Sequence, residues 1–282
     1  LIFAYKNKYG ICVLCKYLKC SKSGYYDWIK RGKPTHNKVD LHKVKAIETV
    51  YYQKKSRGRR QVQMQLERQF QIHMSLGSVH RYMKLLKIQS IRSRKYKGNK
   101  ARINKLTYSF PNVLEQDFFP SSTAEKWLTD ITHISAKDGT FYLSCIKDMR
   151  DKSIIAYHYS IKNDIDLVMK TLQKVLKNSK KAENTILHSD QGSQYSSKNY
   201  HEFLSKNNII GSMSRKGNPY DNSPMESFFS ILKNEELNLY TKLTKAQKMI
   251  IIDDFIRYYN YERPQYNLKK LTPIEFRSQL LK

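Results

Sequence analysis

Three acidic residues of this 282-residue chain sit where a carboxylate is either costly to bury or useful to a bound cation. Asp130 interrupts an apolar run between Leu128 and Ile131, where a buried carboxylate must be paired or bind metal. Asp190 ends the run Ile186–Ser189 and opens the glycine-containing stretch Gln191–Tyr195, and strand ends in α/β sheets are common ligand sites. Glu226 lies two positions after Pro224 at the start of an expected helix, with Ser230 and Lys233 at i+4 and i+7 on the same face. Taken singly, each acid has a plain structural role open to it: local pairing, a turn, or a complement to a helix dipole. Taken together they suit phosphodiester chemistry, which is helped by two divalent ions roughly 3.5–4 Å apart. Hard ions prefer carboxylate oxygens, and Mg²⁺ needs few protein ligands, so three carboxylates suffice.

The segments around these acids predict the scaffold that must position them. Strands are expected at Trp127–Ser135, Phe141–Asp148, Ser153–Ser160, Thr185–Ser189 and Ile209–Met213, with a turn at Asp138–Gly139. Helices are expected at about Ile165–Asn178, Ser197–Asn207 and Pro224–Leu237. Three strands joined by tight turns and followed by alternating helix and strand describe a mixed five-stranded α/β sheet of the ribonuclease-H-like kind. Beyond it, Ile251, Phe255 and Tyr259 mark an amphipathic helix, and Thr272, Pro273 and Glu275 form a capping-box start for another.

Upstream, residues 9–31 read as two short helices, the second capped by Ser21 or Ser23, ending at the break Gly32–Pro34. A helix from Val39 is expected to stop near Ser56–Gly58, a second runs through Val62, Leu66 and Phe70, and Ser78 opens a third. The last turns Val79, Tyr82, Met83 and Leu86 inward and leaves His80, Arg81 and Lys84 outside, the layout of a helix-turn-helix DNA reader. An ordinary three-helix bundle would share the apolar pattern; flanking Arg57, Arg59, Arg60, Arg92, Arg94 and Lys95 favour DNA. The expected division is therefore a helical segment 1–35, a helix-turn-helix domain 36–100, a linker 101–122, a catalytic core 123–240 and a helical segment 241–282.

Charge supports a polyanionic partner. The formal net charge is +28, and residues 1–110 hold 27 Lys and Arg against 4 Asp and Glu, whereas the remainder holds 25 against 20. Such a field attracts phosphates and releases their counterions. No run approaches the roughly 18 apolar residues of a membrane span, and no signal-peptide pattern opens the chain, so a cytoplasmic, nucleoid-associated protein is expected. Cys12 and Cys15 have a zinc-like spacing, but Cys20 and His36 complete no recognised ligand set, and both cysteines fall in an apolar helical pattern that suits small buried hydrophobes.

Three blocks carry a family resemblance: Trp127-Leu-Thr-Asp130-Ile-Thr-His-Ile, His188-Ser-Asp190-Gln-Gly-Ser-Gln-Tyr195, and Ser212 through Asn-Pro-Tyr-Asp-Asn-Ser-Pro-Met to Glu226-Ser-Phe-Phe. They resemble the catalytic blocks of bacterial insertion-sequence transposases of the OrfAB type, relatives of retroviral integrases, with 35 residues between Asp190 and Glu226 and a basic Lys233 seven residues further on. Cys15 to Trp28, Arg57-Gly-Arg-Arg60, Val79 to Lys84 and Tyr258 to Pro264 extend the resemblance over nearly the whole chain. The Ser223–Pro224 pair departs from the small residues usual there and is compatible with a helix start.

The resemblance implies that Asp130, Asp190 and Glu226 bind two Mg²⁺ or Mn²⁺ ions. It implies a reaction in which water frees a 3′ hydroxyl at a transposon end and that hydroxyl attacks a second phosphodiester in-line. The implied partners are duplex DNA, as terminal inverted repeats and target, and further copies of the chain, at least a dimer; Leu1 in place of Met suits a chain lacking an upstream frame. DNA contacts are expected at Arg57, Arg59, Arg60, Arg81, Lys84, Arg94, Arg215, Lys216, Lys233 and Arg263. A catalytically silent DNA-binding regulator is the alternative, and a ribonuclease or junction resolvase on the same fold a third reading.

Overall fold

The computed structural model describes residues 1–32, 39–91, 108–118, 125–178, 184–215 and 218–280. Contacts divide the chain into two compact units, Leu1–Lys45 and Ala46–Lys282, a coarser division than the five segments read from sequence. No helix among the described residues is long and apolar enough to cross a membrane.

The first unit holds three helices where the sequence pattern suggested two: α1 (Ile2–Tyr9), α2 (Ile11–Tyr17) and α3 (Lys22–Lys30). Gly10, at φ 72°, breaks α1 from α2, in a region where a side chain is strained. Ser21 caps α3 by accepting the Gly24 amide at 3.0 Å. Its interior is small: Cys15 and Tyr25 are buried, and Trp28 meets Phe3 edge-on at 6.2 Å and Tyr25 at 6.1 Å. All four cysteines are free thiols; His36 lies outside the described residues, and no group of three or more His, Cys, Asp or Glu among those described is arranged to hold a metal.

The second unit opens with α4 (Leu41–Gln53, which starts in the first), α5 (Arg59–Phe70) and α6 (Leu76–Leu85). Helix α6 begins two residues earlier than expected because Ser75, not Ser78, is the cap, accepting the Ser78 amide at 3.2 Å. The five strands are β1 (Lys126–Ala136), β2 (Gly139–Asp148), β3 (Ile154–Ser160), β4 (Ile186–Ser189) and β5 (Ile210–Met213), in spatial order β3-β2-β1-β4-β5. β1, β2 and β3 form an antiparallel meander, while β4 and β5 run parallel to β1. Those parallel steps need crossovers, supplied by α7 (Ile165–Asn178) and α8 (Lys198–Lys206). This is a ribonuclease-H-like core.

Alternation along β1 assigns each face its cover. Leu128 and Ile134 pack with Phe228 and Leu232 of α9 (Ser223–Glu235) and Phe255 and Tyr259 of α10 (Lys245–Tyr261). Trp127 faces the other way, among Val168, Leu172, Tyr200 and Leu204 of α7 and α8. The start of α11 (Pro273–Leu280) has the expected capping box: Thr272 donates its amide to Glu275 Oε2 at 2.9 Å and its hydroxyl accepts the Glu275 amide at 3.3 Å. The same Glu275 receives both guanidinium nitrogens of Arg68 on α5, at 2.9 and 2.6 Å, while Gln61 and Gln65 donate to the Pro264 and Glu262 carbonyls. The helix-turn-helix segment is thus fastened to the C-terminal helices.

Part of the expected linker is a strap. Residues 108–118 run along β5, where the Met213 amide donates to the Pro111 carbonyl at 3.3 Å and the Phe110 ring stacks on His201 at 3.8 Å. A Cβ on Gly211 would come within 2.5 Å of that ring, so glycine is required for the approach. Ser212 Oγ accepts the amides of Val113 and Leu114 at 2.9 and 3.1 Å. With both lone pairs taken, its proton goes to His188 Nδ1 at 2.9 Å; His188 Nε2–H then donates to Ser214 Oγ at 3.0 Å, and Ser214 donates to the Ser189 carbonyl. Burial in this neutral arrangement lowers the His188 pKa to about 4, against a slight upward pull from Asp221.

Because the unfolded chain protonates His188 near its ordinary value while the native chain does not, stability is present above that value and is lost as pH falls toward 4. The loss attributable to this residue is up to about 1.4 kcal/mol per pH unit. Urea unfolding across this range should show a shallower pH dependence for His188→Gln than for the parent chain; equal slopes would mean that the ring titrates normally.

Candidate active site

Strand register brings the first two acids together. β1 and β4 pair in parallel as Lys126 with Ile186, Trp127 with Leu187 and Leu128 with His188. Carried two residues past its last pair, that register would align Asp130 with Asp190, the residue that follows the end of β4. Asp130 shares its face of β1 with Leu128 and Ile134, the face that α9 covers, and Glu226 stands in the first turn of α9. The three acids expected from sequence therefore reach one end of the sheet.

Their electrostatics record the meeting. Burial, reinforced by Asp190 and Glu226 and opposed by the Ile131 amide and Lys233, pushes the Asp130 carboxyl up to about 8. Burial raises Asp190 despite the Gly192 amide, and burial together with Asp190 raises Glu226. Lys233 is pulled down by burial and drawn back by Asp130. Asp130 Oδ1 accepts the Ile131 amide at 2.7 Å and Asp190 Oδ1 the Gly192 amide at 2.9 Å. A Cβ on Gly192 would lie 3.0 Å from that Asp190 oxygen, so a larger residue there would displace the carboxylate by a few tenths of an ångström. Among the described residues the other oxygen of each aspartate, and both of Glu226, accept no hydrogen bond. Three carboxylates with unused oxygens and mutual repulsion are a donor set that a hard divalent cation would relieve. They converge without closing: no trio of His, Cys, Asp or Glu among the described residues is already arranged as a metal cage.

Residues not singled out by sequence hold Glu226's helix in place. Asp221 is fully buried and accepts from the Arg215 amide (2.7 Å) and guanidinium (3.1 and 2.9 Å), Asn112 (3.1 Å), Gln116 (2.7 Å) and Asn218 (3.1 Å). These donors, Arg215 foremost, hold its carboxyl well below the usual carboxylate range. The hub ties the strap to the loop that enters α9. Asn222, also buried, donates to the Thr129 carbonyl, next to Asp130, at 3.3 Å. Lys147, buried on β2, donates to the Pro224 carbonyl at 3.1 Å.

The basic residues proposed from sequence separate into two groups. Arg59, Arg60, Arg81 and Lys84 are exposed, and Arg59, His80, Lys84 and Lys87 border a concavity of about 520 Å³ between α5 and α6. Arg57 and Arg263 turn inward, at 7% and 8% exposure: Arg57 donates to the Val50 carbonyl at 2.9 Å and Arg263 pairs with Glu235 at 3.0 Å. Arg215 is committed to Asp221 but keeps an exposed face, and Lys233 is half-buried beside Asp130. Arg94 and Lys216 lie outside the described residues.

Residues 120–219 match the integrase core domain family, residues 226–281 match a second integrase core domain family, and residues 38–96 match the HTH-like domain. Fold and matches together define an integrase-type core preceded by a helix-turn-helix segment. The chain is 30% identical over 268 residues to the insertion element IS600 uncharacterized 31 kDa protein of Shigella sonnei, covering 94% of this chain and 98% of that protein. It is 31% identical over 273 residues to the putative transposase InsK for insertion sequence element IS150 of Escherichia coli K12, covering 96% and 94% of the two chains. It is also 31% identical over 237 residues to transposase InsF for insertion sequence IS3A of the same organism, covering 82% and 81%. The chain belongs to this IS3-type family of insertion-sequence transposases. Among solved structures it is similar to the HTLV-2 integrase catalytic core domain in complex with magnesium, at 16% identity and a TM-score of 0.43 over 60% of this chain and 98% of that one.

Replacing Asp221 by Asn removes the charge that six donor contacts share. Asp221→Asn is expected to lower the thermal midpoint by several degrees and to speed amide exchange in both 110–117 and 215–226; unchanged exchange in either stretch would show that the hub does not join them.

Proposed function

We propose that the chain cuts and joins DNA strands at the ends of an insertion sequence, using Asp130, Asp190 and Glu226 as ligands for two Mg²⁺ or Mn²⁺ ions. What supports this reading is the mutual influence of the three carboxyls, Asp190 and Glu226 both acting on Asp130 and Asp190 on Glu226, with the β1–β4 register leading Asp130 and Asp190 toward the helix that bears Glu226. The family's named transposases support the class of reaction. When bound, the two ions activate the attacking oxygen and stabilise the leaving oxygen. The chain's own part is positioning: the three carboxylates fix the cation sites at one sheet end, and the apolar strand and α9 leave Asp130 only partly exposed. Lys233, half-buried beside Asp130, adds a positive charge that a scissile phosphate can meet as it approaches. Water is the first nucleophile and the freed 3′ hydroxyl the second.

Duplex DNA is the substrate, held by the exposed face of α6 with Arg59 and Arg60, and joining two ends requires at least two copies of the chain. Asp130→Asn, Asp190→Asn and Glu226→Gln should each reduce Mg²⁺-dependent cleavage of a duplex carrying the element's terminal repeat by at least about two orders of magnitude, the scale of several kcal/mol of charge stabilisation. Binding of that duplex should stay unchanged. A variant that cleaves normally removes its residue from the site, and a parent chain that binds but never nicks in Mg²⁺ or Mn²⁺ would favour the silent regulator.

For the helix-turn-helix, Arg81→Gln with Lys84→Gln should reduce the slope of log affinity against log salt by about 0.9 for each phosphate that the variant no longer neutralises. An unchanged slope would take α6 off the DNA.

A further inference from the structure

The first 32 residues lie outside every matched family segment, yet they repeat the design of the segment that follows. Helix α5 ends at Gln71 in the left-handed conformation (φ 56°), a short turn follows, and Ser75 caps α6 by accepting an amide three residues on. Helix α2 ends at Tyr17, the left-handed residue Lys19 (φ 49°) falls one position past its C-cap Leu18 within a four-residue turn 18–21, and Ser21 caps α3 by accepting the Gly24 amide three residues on. Counted from the cap serine, α6 turns positions 4, 7 and 8 inward as Val79, Tyr82 and Met83. The same positions of α3 are Tyr25, Trp28 and Ile29, the first buried and the others half-buried. Position 9 is an exposed lysine in both, Lys84 and Lys30. Helix α1 closes the unit by setting Phe3 against Trp28 of α3 at 6.2 Å. Two helices joined by a short turn, four residues between α2 and α3 and five between α5 and α6, with a third packed against them, follow the helix-turn-helix arrangement, whose second helix enters the major groove.

We propose that α1–α3 form a second helix-turn-helix that binds duplex DNA through α3, in addition to the one containing α6. The proposal rests on the DNA-acting reading above and extends it to a surface that reading does not use. Charge complementarity selects the partner: residues 1–32 carry seven Lys and Arg and one acid, Asp27, and six of the seven cations are exposed. On the outer face of α3, Lys22, Tyr26 and Lys30 form a stripe at i, i+4 and i+8, with Tyr26 48% exposed. Lys22 stays charged beside the Cys12 thiol, whose hydrogen bond raises its pKa. A tyrosine between two ammonium groups offers one hydroxyl for a base edge or phosphate and two cations for the backbone.

The test uses the full chain and a duplex of one terminal repeat, with one strand of the same sequence as a comparison. Tyr26→Ala with Lys30→Gln should weaken duplex binding about fivefold or more and reduce the salt slope by about 0.9, the Lys30 contribution. It should erase one tract of hydroxyl-radical protection while leaving the tract erased by Arg81→Gln with Lys84→Gln. Lys30→Arg should keep binding, and the unchanged melting midpoint expected of exposed sites checks that folding is intact. If the α3 variant leaves affinity, slope and footprint untouched while the α6 variant alters them, the proposal fails and the DNA-acting reading stands. If the parent chain protects no duplex at all, both fail. Equal weakening on the single strand would make the face a stacking surface, and a change confined to sedimentation would make it a contact between copies; either result overturns the proposal.

Discussion

Holding three carboxylates at one end of a sheet, before any cation neutralises them, is the constraint that organises this molecule. Each of Asp130, Asp190 and Glu226 is raised by burial, and their charges act on one another. Left to side-chain freedom, they would separate. The backbone prevents this: Asp130 is held opposite Cys145 in the β1–β2 ladder, Asp190 follows directly on β4, and Glu226 is brought in by a helix whose entry is fastened three times. Asn222 holds the Thr129 carbonyl, Lys147 holds the Pro224 carbonyl, and Asp221 gathers the preceding loop. Asp221 is itself buried and charged, which is favourable only because its donors satisfy both oxygens. One carboxylate is saturated so that three others can be left unsaturated.

That saturation reaches beyond the sheet. Two of the donors, Asn112 and Gln116, come from the strap, and the strap is also held by Ser212 through Val113 and Leu114. His188 lies two residues before Asp190 and completes the same network in its neutral form. The stretch of chain just before the core therefore belongs to the support of the proposed metal ligands. A boundary drawn between linker and core would cut through it.

Much of this is legible in the amino-acid sequence where the signal is local. The strands announce themselves through alternation and apolar runs, Asp130 through its place inside one of them, and the start of α11 through Thr272, Pro273 and Glu275, whose capping contacts span three residues. What is not legible depends on partners far away in sequence. Asp221 sits in Pro-Tyr-Asp-Asn, an ordinary turn to any local reading that would see only Arg215 and Asn218 nearby, and its role as a hub comes from two further donors, Asn112 and Gln116, about a hundred residues upstream. Arg57 and Arg263 look like phosphate contacts because arginine in a basic chain usually is one; only the packed structure sets Arg57 against the Val50 carbonyl and Arg263 against Glu235. Helix α1 escapes a sequence reading because Tyr and Lys alternate in it without a clear apolar face, and none of its residues is buried.

The inward arginines change how the basic field is understood. Arg57 and Arg263 spend their charge inside the protein, on the Val50 carbonyl and on Glu235, while the half-buried Arg68 joins Gln61 and Gln65 in fastening α5 to residues 262–275. Arg263 in turn grips Glu235, the last residue of α9, whose first turn carries Glu226. A continuous series of packed and hydrogen-bonded contacts therefore runs from the helix-turn-helix segment to the helix of the third acid. These links are packed helices, hydrogen bonds and the buried Arg263–Glu235 pair, so the distance between the exposed face of α6 and the carboxylates is set by packing. For the reaction proposed, the phosphodiester must arrive in-line, and misplacement by about 1 Å can cost on the order of a hundredfold in rate. Spending cations on internal contacts lowers the field available to attract DNA, but it makes the position of whatever DNA is held reproducible.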